Sequence, residues 1–120
     1  MKQTLRQRKG RNGEDRALAF LQTQGLELIT RNYSCRLGEL DLVMREGAHV
    51  VVVEVRMRER RDYGGALASI GPGKQRRIVQ ATRHLLRFRP CLADHPLRFD
   101  VIGLAGDRQP DWIRNAFQAF

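Results

Sequence analysis

The chain has 120 residues, the length of one ordinary domain, and its apolar content of 42% suffices for one hydrophobic core. Its longest apolar run, residues 50–53, is far shorter than the ~20 residues of a membrane span, and the basic N-terminus lacks the apolar segment of a signal peptide. The net charge is +9, with 22 Lys and Arg against 13 Asp and Glu. These properties exclude a helical membrane protein and favour a cytoplasmic protein that binds nucleic acid; an arginine-rich bias that merely solvates one face is the alternative.

Cysteine and histidine are sparse. Cys35 and Cys91 lie far apart without the spacing of a zinc site, and the three histidines (His49, His84 and His95) are scattered. This pattern argues against a disulfide framework, a zinc site and a histidine-based triad, and it is typical of a reducing compartment.

The first 24 residues divide into a basic arm and a helix. Residues 1–11 carry many basic side chains and few apolar ones, which predicts a flexible arm that either contacts phosphates or is a solvated tail. Asn12 is a good N-cap, and the helix is expected to run to Gln24. Glu14 shares the inward face of this helix, although an acid at a helix start requires no function.

The rest of the chain reads as strands and one further helix. Turn signals at residues 46–47 and 71–73 separate these elements. The predicted strands are residues 26–33, 38–45, 49–56, 97–104 and 112–117, and the predicted second helix is 74–88. The first three strands should form an antiparallel meander, and the second helix should return the fourth strand parallel to a central one. We therefore expect a single α/β domain over residues 12–120, with helices covering a mixed five-stranded sheet.

Three carboxylates interrupt the apolar strands at the centre of the predicted sheet. A loop of residues 46–47 would pair Asp41 with Val52 and Glu39 with Glu54, which places all three acids on one face. A one-residue slip would send Glu54 to the other face.

Gathered carboxylates repel one another, and a hard divalent cation such as Mg²⁺ or Mn²⁺ relieves the repulsion. Such an ion suits phosphodiester hydrolysis, and Arg56 would lie beside it on the same face. The alternative is that Glu39, Asp41 and Glu54 only pair with arginines on an exposed sheet face.

A set of ordered motifs covers nearly the whole chain. They are Gly10-Arg11-Asn12-Gly13-Glu14, Arg31-Asn32-Tyr33, Gly38-Glu39-Leu40-Asp41-Leu42-Val43, Val53-Glu54-Val55-Arg56-Met57-Arg58, Lys74, Arg98-Phe99-Asp100-Val101 and Asn115-Ala116-Phe117. Together they resemble the YraN family of small bacterial proteins. That family looks like a branch of the PD-(D/E)xK nuclease superfamily, similar to archaeal Holliday-junction resolvases.

The resemblance implies a restriction-endonuclease-like three-layer core and a metal-dependent endonuclease. It implies that Glu14, Asp41 and Glu54 hold Mg²⁺ or Mn²⁺, with Lys74 close to the site and Arg56 positioning water or phosphate. We expect the nucleic acid, DNA rather than RNA, to contact a further set of arginines: Arg11, Arg58, Arg60, Arg61 and Arg76. A homodimer is also expected if both strands of a substrate are cut.

One residue departs from the family pattern. The last motif position is usually lysine, and this chain has Arg56. Arginine stays protonated and so cannot act as a general base. The competing hypothesis is therefore a non-catalytic nucleic-acid-binding module on the same fold, and a weaker one is a role in RNA processing or protein interaction.

Overall fold

A computed structural model describes residues 5–57, 67 and 69–119, with side chains from residue 12 onward. Its elements follow the predicted order of one helix, three strands, a second helix and two strands. They are α1 (Leu5–Thr23), β1 (Glu27–Cys35), β2 (Gly38–Glu46), β3 (His49–Met57), α2 (Pro72–Phe88), a short 3-10 turn (Pro90–Leu92), β4 (Leu97–Leu104) and β5 (Asp111–Phe117).

The five strands form one mixed sheet in the order β1-β2-β3-β4-β5. Strands β3 and β4 are parallel and are joined through α2, whereas the other neighbours are antiparallel. The predicted α/β class and mixed five-stranded sheet are confirmed.

A hydrophobic layer covers each face of the sheet. On one face α1 packs through Ala17 and Leu21, and on the other α2 packs through Ile78 and Leu85. The valines of residues 50–53 alternate between the two layers and are all buried, as expected of a central strand covered on both sides. The result is a three-layer arrangement of helix, sheet and helix, compatible with the predicted nuclease-like core.

Helix α1 begins earlier than predicted. It starts at Leu5, so Asn12 lies inside the helix rather than at its N-cap, and residues 5–11 are helical rather than part of a flexible arm. The physical reason is that lysine, arginine, glutamine and leucine are all good helix formers and no proline intervenes. Residues 1–4 of the predicted arm lie outside the described residues.

The β2–β3 hairpin has a different register from the predicted one. Glu46 pairs with His49, so the loop is Gly47-Ala48 rather than residues 46–47. Gly47 adopts φ 58 at the first loop position, where a two-residue hairpin turn favours glycine. The pairing of Asp41 with Val52 and of Glu39 with Glu54 was therefore wrong. A shift of two residues preserves the alternation of faces, so Asp41 and Glu54 still point to the same side.

The β1–β2 pair reverses its faces just before the acids. Leu42 packs in the layer beneath α1, whereas Leu40, only two residues away, packs beneath α2. Their partners Arg31 and Tyr33 flank Asn32, which has φ 55. A left-handed residue rotates the following side chains, and this breaks the usual rule that residues i and i+2 share a face. Asp41 lies between Leu40 and Leu42, where the side chains of β2 change face.

Candidate active site

Asp41 and Glu54 face each other where the β2–β3 ladder stops. The last recorded backbone pair is Leu42 with Val53. Beyond it, the backbone N–H of Asp41 donates to Oε2 of Glu54 at 3.3 Å, and the N–H of Val55 donates to Oδ2 of Asp41 at 2.9 Å. The two carboxylates thus replace backbone carbonyls as acceptors, which fixes both side chains at the centre of the sheet.

A cavity of about 250 Å³ lies over this pair on the α2 side. Its polar lining consists of Glu39, Asp41 and Glu54 from the strands, with Lys74 and Arg77 from α2. The three acids of the predicted cluster thus line the same cavity.

Glycine allows α2 to approach this cavity. A Cβ built on Gly38 would lie 3.0 Å from the backbone oxygen of Arg77, a contact that a larger residue could make only by displacing the helix. This close approach brings the first two turns of α2 next to the acids.

Burial and mutual repulsion disfavour the ionised form of the Asp41–Glu54 pair. Glu54 is 2% exposed, and burial together with the neighbouring Asp41 raises its pKa to about 8. Burial also raises the pKa of Asp41, while the N–H of Val55 and the cation of Lys74 act in the opposite direction. The pair therefore retains a proton near neutral pH unless a cation joins it.

Glu14 on α1 lies within electrostatic range of Asp41. Burial and the charge of Asp41 raise the pKa of Glu14, and Arg31 opposes this shift. Arg31 Nη2 lies 3.6 Å from Glu14 Oε1 but 2.8 Å from Asp15 Oδ1. Oε1 of Glu14 is buried and accepts no hydrogen bond from the described groups.

The donor set suits a hard cation only in part. Within the part of the chain that the structure describes, no group of three or more Asp, Glu, His or Cys side chains is arranged to hold a metal ion. Asp41 and Glu54 still offer carboxylate oxygens beside a cavity. Mg²⁺ is often bound by one or two carboxylates plus water and substrate phosphate, so this pair fits Mg²⁺ and Glu14 stays a prediction.

Comparison with known proteins identifies the family. A sequence profile described as "Uncharacterised protein family UPF0102" matches residues 13–104. The chain belongs to the UPF0102 family. This is the YraN family that the sequence motifs indicate.

Relatives match along most of their length. A UPF0102 protein of Nitrosomonas eutropha is 50% identical over 91% of this chain and 92% of its own. One from Cupriavidus taiwanensis is 52% identical over 95% of this chain and 86% of its own. A third, from Legionella pneumophila, is 45% identical over 96% and 98%. These UPF0102 proteins therefore correspond to this chain along most of their length.

The other predicted site residues of this UPF0102 protein are only partly visible. Lys74 lines the cavity, and Arg56 is half-buried with Nη2 donating to the backbone oxygen of Ser69 at 3.1 Å. Arg76 is exposed on α2. The predicted contacts of Arg11, Arg58, Arg60 and Arg61 lie outside the described side chains.

Two features of the site were missed from the sequence. Arg77 lines the cavity, and its position three residues after Lys74 on a helix could have indicated this. The Tyr33 hydroxyl forms a hydrogen bond with Nδ1 of His84, joining β1 to α2 beside the site strand. No sequence spacing predicts that pair, because the partners are brought together only by the packing of α2.

A second buried acid, Asp100, has a structural role outside the cavity. Asp100 is fully buried and accepts two hydrogen bonds from Arg98, at 2.9 Å each, one from Trp112 Nε1 at 3.0 Å and one from the N–H of Asn115 at 2.9 Å. All of its acceptor capacity is used by protein donors. Asp100 therefore ties β4 to β5 rather than offering a ligand.

A larger cavity, of about 370 Å³, lies at the other end of β2, between Arg45, Val50 and His95. It contains a single carboxylate, Glu27, and so lacks the acidic pair that distinguishes the smaller cavity.

Among the described helices, none is long and apolar enough to cross a membrane.

Proposed function

We propose that this UPF0102 protein is a metal-dependent endonuclease that hydrolyses phosphodiester bonds in DNA, with branched or structured DNA as the substrate. The observation that carries the proposal is the buried Asp41–Glu54 pair beneath a cavity that Lys74 also lines. The net charge of +9 and the PD-(D/E)xK-like motifs support it.

In this proposal Asp41 and Glu54 hold Mg²⁺ or Mn²⁺, and Glu14 contributes from α1. The ion, when bound, would stabilise the charge of the phosphoryl group and acidify a water molecule. The Lys74 ammonium faces the same cavity and would neutralise a phosphate oxygen.

Arg56 would act as a fixed cation. It cannot take a proton from water, because a guanidinium stays charged at all relevant pH values. Its bond to the backbone oxygen of Ser69 orients the guanidinium plane, so its role would be to position phosphate.

Cleavage assays test the proposal. A linear duplex, a four-way junction and an RNA duplex of matched sequence would be incubated with wild type and with Glu54→Ala, with and without Mg²⁺. We expect Mg²⁺-dependent cleavage of DNA by the wild type and its loss in the variant. Asp107→Ala removes an exposed acid in the β4–β5 turn and is the matched control, which should cleave normally.

The second candidate is a non-catalytic nucleic-acid-binding protein on the same fold. The specific observation in its favour is Arg56 at the position where the superfamily usually has lysine. This candidate is supported if wild type and Glu54→Ala bind DNA with equal affinity and neither cleaves it. That result would contradict the nuclease proposal.

We propose the cytoplasm as the compartment, because Cys35 and Cys91 are free thiols. Cutting both strands of a junction requires two sites, so the proposal includes a homodimer. Sedimentation of the protein alone and with a four-way junction would measure the number of copies bound.

A further inference from the structure

Three aromatic rings, tilted against one another, form a row that reaches from a half-buried position to the surface. Tyr33 of β1 is half-buried, and its ring centroid lies 5.9 Å from that of His84 on α2. The His84 ring lies 4.8 Å from that of Phe88. Phe88 is 68% exposed, more than any other large apolar side chain in the described part of the chain. We call these three residues the aromatic ladder.

A hydrogen bond joins the two inner residues of the ladder. The Tyr33 hydroxyl bonds to Nδ1 of His84, and burial raises the pKa of Tyr33, so the hydroxyl keeps its proton and can donate it. Tyr33 is paired with Leu40, which directly precedes Asp41 in the chain. The exposed ring is thus connected through His84 and Tyr33 to β2, the strand that carries Asp41.

The helix that carries the ladder is strongly basic. Between Pro72 and Phe88 it contains no Asp or Glu, and it holds Lys74 and four arginines: Arg76, Arg77, Arg83 and Arg87. Arg77, His84 and Phe88 are seven and four residues apart, which places them along one side of the helix. One side of α2 therefore runs from a cation in the cavity to an exposed ring, within a helix whose charges complement a phosphate backbone.

Basic side chains that follow a backbone and rings that stack on bases are the two components of single-strand recognition. A paired base cannot offer its face to a side chain, whereas an unpaired base can. We propose that the Phe88–His84 end of the aromatic ladder stacks on an unpaired base of the DNA, and that Arg77 contacts a phosphate between this base and the cavity.

This inference rests on the proposed function and narrows its substrate to DNA with a single-stranded segment beside the cleaved bond. Lys74 and Phe88 are fourteen residues apart, roughly 21 Å along a helix. That length corresponds to roughly six steps of a B-form strand at 3.4 Å each. A flap or an open junction arm would supply the unpaired base at this distance.

Binding measured without cleavage tests the inference. Fluorescence anisotropy in EDTA would compare a single-stranded oligonucleotide with a duplex of the same sequence, and 2-aminopurine within the single strand would report stacking by quenching. Phe88→Leu keeps an apolar side chain and removes the ring, and Phe88→Trp keeps an aromatic ring. Phe88 is largely exposed, so neither change should affect folding.

We expect Phe88→Leu to weaken single-strand binding by roughly 5- to 150-fold, the effect of losing one base–aromatic stack, and to abolish the quenching. Duplex binding should change by less than about twofold, because phosphate contacts dominate it. Phe88→Trp should match the wild type.

The inference is overturned if Phe88→Leu binds and quenches the single strand like the wild type, or if the wild type prefers the duplex. Failure of the proposed function is a separate result. A protein that needs Phe88 to bind single strands but never cleaves with Mg²⁺ supports the stacking site and contradicts the nuclease. A protein that cleaves DNA with Mg²⁺ but binds single strands equally well with and without Phe88 supports the nuclease and contradicts the stacking site.

Discussion

Asp41 and Glu54 exchange hydrogen bonds with the backbone at the point where strands β2 and β3 stop pairing. The exchange occupies one oxygen of each carboxylate. A cation bound at the second oxygen of each acid would leave these two hydrogen bonds in place. The same arrangement buries two negative charges side by side, and this makes the folded protein sensitive to pH.

The folded state should lose stability as the pH rises. The pKa of Glu54 is raised from 4.5 to about 8, so between these values the folded protein holds a proton that the unfolded chain has released. The free energy of unfolding therefore falls across this interval in the absence of divalent ions, by about 1.4 kcal/mol per pKa unit at most. Urea denaturation in EDTA at pH 5 and pH 8 would measure it.

Glu54→Gln serves as the comparison for this pH effect, because the amide cannot ionise. Its stability should exceed that of the wild type at pH 8 and approach it at pH 5. Parallel pH profiles for the two proteins would show that burial of Glu54 has no net electrostatic cost.

Mg²⁺ should stabilise the protein through the acids around the cavity. An ion that binds only the folded state, at one hundred times its Kd, adds about 2.7 kcal/mol, so Mg²⁺ should raise the Tm in thermal denaturation. Asp41→Asn should abolish this rise.

Glu14→Gln and Asp15→Asn form a matched pair for the same measurement. Both acids lie near Arg31, and the charge of Asp41 contributes to raising the pKa of Glu14. If Glu14 is a ligand, its substitution reduces the Mg²⁺-induced rise and that of Asp15 does not. An equal Mg²⁺-induced rise in Tm for the two variants would show that Glu14 is not a metal ligand.

Arg56→Lys should retain or increase DNA cleavage. Lysine is the residue that the PD-(D/E)xK motif usually has at this position, and it can reach a phosphate as a point charge, although it loses the planar contact with the backbone oxygen of Ser69. The measurement is kcat/KM on the best-cleaved substrate, with Arg56→Ala as the variant that removes the charge. A fall in kcat/KM for Arg56→Lys would mean that the site is adapted to the guanidinium.

Asp100→Asn should destabilise the fold without entering the chemistry. Arg98 donates hydrogen bonds to Asp100, and these raise the pKa of Arg98, whose side chain is only 14% exposed; the substitution would leave Arg98 with Glu46 as its remaining carboxylate partner. Removing one member of a buried ion pair costs about 3–5 kcal/mol, which chemical denaturation would detect. Asp94→Asn, at an exposed acid before β4, should be neutral.

The order of elements could be predicted because it depends on local patterns. Strand β4 was predicted over its exact range, since the alternation of Leu97, Phe99 and Val101 matches a pleated surface. The start of α1 could not be predicted, because a cap residue such as Asn12 is also compatible with a helix interior. The hairpin loop was misplaced since both Glu46-Gly47 and Gly47-Ala48 contain the glycine that permits a tight turn.

The acidic pair was predictable and its surroundings were not. The shared face of Asp41 and Glu54 follows from strand periodicity in either hairpin register. The reversal of faces at Asn32 depends on a backbone conformation that no residue spacing encodes. The contributions of Tyr33 and His84 depend on how α2 is placed over β1 and β2, which only the packed structure defines.

We expect the parallel pairing of β3 with β4 to form later than the β2–β3 hairpin during folding. Asp41 and Glu54 lie on neighbouring strands of a hairpin, which forms from local contacts, whereas β4 and the cations of α2 join only after a long segment closes. Long-range parallel pairing is slow to form. A partly synthesised chain therefore carries both acids without Lys74 beside them, and any activity of the cavity begins only once the whole domain has folded.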